Sequence, residues 1–217
     1  MKEIVFILDR SGSMSGLEED TIGGFNSMLK KQKKEEGDDI LISTVLFDNR
    51  TDIIHDRVPI KDVPELTDKE YYVRGCTALL DALGGTINHI SKIHKYARKE
   101  DVPENTLFVI TTDGMENASR HYSYSQVKAM IEEKKKEGSD WEFIFLGANI
   151  DAAEEAGKIG IDDSMAADYV CDEVGTMLNF KAIDKAVSCF KNSIKLEESN
   201  WKEIIDDDFK KRGNKNK

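Results

Sequence analysis

The chain has 217 residues, 39% hydrophobic and 34% charged, the composition of a globular body with a charged surface. Its 42 acidic residues outnumber the 31 basic ones, for a formal net charge of −11, which opposes the phosphate backbone of nucleic acids. No apolar run is long enough to cross a bilayer, so neither nucleic acid nor membrane is an expected partner.

The first residues carry a short apolar stretch after two charges and lack a small-residue cleavage site, so they read as a strand and not as a secretion signal. Strand-like runs at 3–8, 40–47, 52–60, 106–111, 141–146 and 167–171 alternate with stretches of helical period. That alternation predicts an α/β fold, a doubly wound, mostly parallel six-stranded sheet with helices on both faces. Only residues 48–51 join the second and third runs, too few for a crossover helix, so one edge strand should be antiparallel.

Ile22, Phe25 and Leu29 mark the apolar face of a first helix; Leu79, Leu83, Ile87 and Ile90 mark a second. Gly23-Gly24 and Gly84-Gly85 fall inside these helices, where a glycine costs about 1 kcal/mol against alanine; close packing against the sheet should offset it. Ser123 with Gln126, and Asp151 with Glu154, have capping-box spacing, while Gly138 and Gly160 should stop the helices that follow. A long helix over 176–196 carries Phe180, Ile183, Val187, Phe190 and Ile194 on one face. Trp201, Ile204, Ile205 and Phe209 then spell a short helix expected to dock on the body, ahead of a disordered basic tail. The expected division is a domain over 1–198 and a C-terminal segment over 199–217.

Cys76, Cys171 and Cys189 are odd in number and far apart, which favours free thiols in a reducing, cytoplasmic compartment. The histidines share no metal motif, and only His121 falls close to the sequence position that carries chemistry.

That position begins at the end of the first strand, where Asp9-Arg10-Ser11-Gly12-Ser13 places a carboxylate and two hydroxyls on a tight turn. The fourth strand likewise ends in Asp113-Gly114, and Thr77 stands where the preceding helix should begin. Ligands bind at the carboxyl edge of such sheets. Two carboxylates and three hydroxyls form a hard, oxygen-only set that suits Mg2+, with Mn2+ or Ca2+ as alternatives, and disfavours zinc. Arg10, Met14, Glu116 and Asn117 border this set in sequence and are expected at its rim.

Asp9, Ser11, Ser13, Thr77 and Asp113 together resemble the metal-ion-dependent adhesion site (MIDAS) of the von Willebrand factor A-domain family, over residues 1 to about 198. The resemblance implies a non-enzymatic interaction module, whose bound Mg2+ takes an Asp or Glu from a partner protein. An accessory subunit of a metal-chelatase or ATPase-type machine is an alternative; the chain itself has no Walker loop. A Mg2+-dependent phosphohydrolase is a weaker one, because the second acid expected two residues after a nucleophilic Asp9 is Ser11.

Overall fold

The computed structural model describes residues 1–35, 39–136 and 140–213. Six strands, β1 Lys2–Asp9, β2 Ile40–Phe47, β3 Thr51–Pro59, β4 Asn105–Thr112, β5 Trp141–Gly147 and β6 Ala166–Asp168, form one sheet in the order β3-β2-β1-β4-β5-β6. All neighbours are parallel except β2 and β3. Every residue of β1 is buried, as expected for a central strand covered on both faces.

The chain steps from β1 outward to β2, and from β4 outward to β5 in the opposite direction. Right-handed crossovers therefore send the intervening helices to opposite faces. Helices α1 Glu18–Gln32 and α5 Glu173–Lys191 pack together; α2 Leu79–Tyr96 packs on α3 Tyr124–Lys134, which meets α4 Ala152–Lys158. The side chain of Ser123 caps α3 and Gln126 returns the bond to its backbone, while Asp151 caps α4 through the Glu154 N–H at 2.9 Å. Gly160, at φ +80°, follows the end of α4 as expected; Gly138 lies outside the described residues.

Three expectations need correction. The paired glycines do not pack on the sheet: a Cβ at Gly24 would sit 2.3 Å from the Phe180 ring on α5, and one at Gly84 would sit 2.5 Å from Tyr122. Helix α5 begins earlier and ends sooner than 176–196, capped by Asp172 and stopped where Ser193 turns to φ +55°. Ile194 consequently leaves the apolar face and is 50% exposed. The sixth strand is only three residues long and stops before Cys171.

Helix α6, Glu203–Arg212, packs on α5 and β6. Trp201 is 1% exposed beneath it, and Lys202 Nζ donates to the carbonyl oxygens of Asp163 and Ala166 at 2.8 and 2.6 Å. Lys210, Lys211 and Arg212, expected in a disordered tail, belong to this helix, and Arg212 is bound to Asp208 and Asp172. Residues 214–217 lie outside the described residues.

Candidate metal centre

β1 and β4 lie side by side, so Asp9 and Asp113 emerge at the same carboxyl edge, where the strand order reverses. Asp9 accepts the Ser11 N–H on Oδ1 at 2.7 Å, and the Thr112 hydroxyl and Asp113 N–H on Oδ2 at 2.8 and 3.2 Å. The turn after β1 then presents its hydroxyls: Ser11 Oγ lies 3.1 Å from Ser13 Oγ and accepts from Thr77 Oγ1 at 3.0 Å. A Cβ on Gly114 would stand 3.6 and 3.8 Å from the Ser13 and Thr77 hydroxyl oxygens, so the end of β4 faces the same cluster.

Thr77 is brought there by a loop stitched to the β1 turn. The Gly12 N–H donates to Gly75 O at 3.1 Å, the Arg74 N–H donates to Arg10 O at 3.0 Å, and the buried Tyr71 hydroxyl donates to Asp9 O at 2.6 Å. Gly75 is required, because it sits at φ +69° and a Cβ would fall 2.2 Å from Asn49 Oδ1. Helix α2 starts two residues beyond Thr77, at Leu79.

The Asp113 carboxylate does not join the hydroxyl chain by a direct bond. Asn149 Nδ2 donates to its Oδ1, and Cys171 Sγ donates to its Oδ2 at 3.2 Å. Burial pushes both carboxyls above their ordinary value, against the pull of the groups that donate to them, and the charge of Asp9 raises Asp113 further. Among the described residues, no Lys, Arg or His is bonded to either carboxyl group. Two buried acids without a positive partner are costly unless something supplies the charge.

Among the described residues, no three His, Cys, Asp or Glu side chains are grouped to hold a metal. The donors that gather are hydroxyls and carboxylates, the set that fits a hard divalent cation of the Mg2+ class.

Of the four expected rim residues, two are not at the rim. Arg10 is 2% exposed, with Nε donating to Asp48 at 3.0 Å, Nη1 to Glu70 O at 3.2 Å, Nη2 to Asp52, and Tyr72 stacked on the guanidinium. It points inward because Asp48 is itself buried and also accepts from Arg74 Nε at 2.7 Å; a buried guanidinium needs such carboxylates. Met14 is buried in the 3-10 turn Gly12–Met14.

Glu116 is half-buried and accepts the N–H groups of Leu80, Ala118 and Ser119 at 2.9, 2.9 and 2.7 Å, tying the loop after β4 to the start of α2. Asn117 does remain at the rim, exposed, and it braces Thr77: its N–H donates to Thr77 O and its Oδ1 accepts the Thr77 N–H, both at 3.0 Å.

Sequence reading missed Asn149, Cys171, Tyr71 and the Asp48–Arg74 pair. Asp48 carried a usable signal, because it follows directly on β2, the neighbour of β1. Arg74 and Tyr71 sit in an irregular loop with no periodicity to expose them.

The whole fold is similar to several solved structures. Proximal thread matrix protein 1 from the mussel byssus superposes with a TM-score of 0.59 at 15% identity, over 86% of this chain and 45% of that one. A von Willebrand factor type A protein from Catenulispora acidiphila gives 0.55 at 12% identity, over 84% and 41%. The fold is that of a von Willebrand factor A domain.

The chain also matches the PilB minor pilin of Streptococcus sanguinis, with a TM-score of 0.58 at 13% identity over 91% of this chain and 63% of the pilin. The mussel protein is also known with a zinc-occupied MIDAS motif. The chain spans less than two thirds of the length of each of these proteins. No family model matches the sequence, and no curated protein matches it. No helix among the described residues is long and apolar enough to cross a membrane.

Proposed function

We propose that this A-domain chain is a metal-dependent protein-interaction module without catalytic activity, binding an acidic side chain of a partner through one Mg2+ at Asp9, Ser11, Ser13, Thr77 and Asp113. What carries the reading is the pair of buried carboxyl groups that, among the described residues, have no cationic side chain bonded to them, beside a chain of three bonded hydroxyls. A divalent ion would supply the missing charge, and three neutral ligands would leave it electrophilic enough to take a carboxylate from outside. A docking role also fits position 11, where a phosphotransferase with a nucleophilic Asp9 would need a second acid and the chain has Ser11. Three free thiols suit a reducing compartment, so a cytoplasmic site of action belongs to the same proposal.

The test is a cation titration followed by thermal melting. Mg2+ should raise the melting temperature of the native chain progressively, with about 2.7 kcal/mol of stabilisation at a hundredfold excess over Kd, and Asp9→Ala should abolish the rise. A melting curve indifferent to millimolar Mg2+ and Mn2+ would retire the proposal. Recovery of partner proteins in Mg2+ but not in EDTA would then identify what docks.

A further inference from the structure

A crevice of about 1230 Å3 opens beside Thr77. Its walls include Arg50 from the turn between β2 and β3, Cys76 from the site loop, and Asn117, Arg120 and His121 from the loop after β4. Cys76 directly precedes Thr77, and Asn117 is bonded to Thr77 through two hydrogen bonds, so the crevice and the hydroxyl cluster share a wall.

The crevice is positive in a chain of net charge −11. Arg50 and Arg120 are both exposed, and among the described residues their bonds run through backbone N–H groups, to Asp48 and Asp81, and not through the guanidinium. Arg10, Arg57, Arg74 and Arg212 have carboxylate partners, whereas the exposed Arg98, outside the crevice, has none among the described residues. Asp81 is the acid in the crevice wall, and its carboxylate already accepts the N–H groups of Arg120, His121 and Tyr122 at 2.8, 2.8 and 2.9 Å. Two exposed arginines with no side-chain partner among the described residues therefore line a crevice that shares a wall with the hydroxyl cluster.

We infer that this crevice is the second half of the docking surface, built for an extended acidic segment of a partner protein. One carboxylate of that segment reaches the ion and its neighbours pair with Arg50 and Arg120; the inference rests on the metal-dependent docking reading. An extended segment puts every second side chain on one side, about 7 Å apart, so acids at alternate positions can address the ion and the arginines together. Guanidinium–carboxylate pairs add orientation to the point attraction of the cation. Because both arginines are exposed, their share should weaken with salt.

The experiment compares two labelled peptides of equal length by fluorescence anisotropy in Mg2+, one with a single central Asp in a Gly/Ser background, the other with Asp at alternate positions. The multi-acid peptide should bind the native chain about tenfold more tightly, the order that two exposed charge pairs supply. In the double variant Arg50→Gln/Arg120→Gln that advantage should fall below about twofold, with unchanged circular dichroism. Equal affinities for the native chain, a preference that survives in the double variant, or no binding of either peptide overturns the inference. A parallel arm in EDTA separates the two readings: binding lost in EDTA but indifferent to the arginines sinks the crevice alone, and arginine-dependent binding that persists in EDTA sinks the ion.

Discussion

The thiol of Cys171 donates to one oxygen of Asp113, while the amide of Asn149 holds the other. These donors come from the loops after β6 and β5, so the orientation of Asp113 is fixed from the far side of the sheet edge. Burial, the bond to Asp113 and the charge of that carboxylate push the Cys171 thiol up to about 12, which keeps its proton available for donation.

Removing a partner that orients a metal ligand commonly costs ten- to a hundredfold in affinity. Cys171→Ala and Asn149→Ala should each weaken Mg2+ binding by about tenfold in calorimetric titration. Cys171→Ser retains an O–H donor and should stay within about threefold of the native chain. An equal loss in the serine variant would point to packing and not to hydrogen bonding.

The same protonated state makes Cys171 a poor nucleophile, whereas Cys76 is exposed. With limiting iodoacetamide, peptide mass mapping should show Cys76 labelled well before Cys171. Preferential labelling of Cys171 would contradict the donor role.

Gly24→Ala drives a methyl group into the Phe180 ring and should cost about 1–3 kcal/mol in urea unfolding. Gly23→Ala meets nothing within 4 Å, so it should stabilise by up to about 1 kcal/mol through helix propensity. A loss at both positions would mean that backbone flexibility, not the approach of α5, selects the glycines.

His55 is buried against Thr44 Oγ1 at 3.0 Å, and burial lowers its titration below the ordinary 6.5. The unfolded chain then takes up the proton first, so the neutral ring contributes stability above that value and loses it as pH falls through 6.5 towards the folded-state value. Urea midpoints should decline over this window in the native chain and decline less in His55→Phe. Identical pH profiles would remove His55 as the titrating group.

Much of the fold was legible because the strands are continuous apolar runs and the helices keep their period. The antiparallel edge strand followed from a loop too short to cross the sheet. In the site, Asp9, Ser11, Ser13 and Asp113 were readable from the ends of two strands and Thr77 from the start of a helix, and the three hydroxyls do meet. What stayed hidden were partners set by three-dimensional proximity. Arg10 looked like a rim residue because it sits between two site residues, yet backbone alternation turns it to the opposite side, where Asp48 and Asp52 await it. The reach of Asn149 and Cys171 to Asp113 depends on how three separate loops end, which no periodicity records.

Both margins of the sheet are irregular or short. On one side β3 is irregularly registered against β2, with Arg57 at φ +54° and its N–H taken by Ser43 Oγ at 3.0 Å; on the other, β6 is short and overlaid by α6, with Lys202 occupying the Ala166 carbonyl. Neither margin offers a straight backbone template, so adding a foreign strand, and with it fibre-like self-association, is disfavoured.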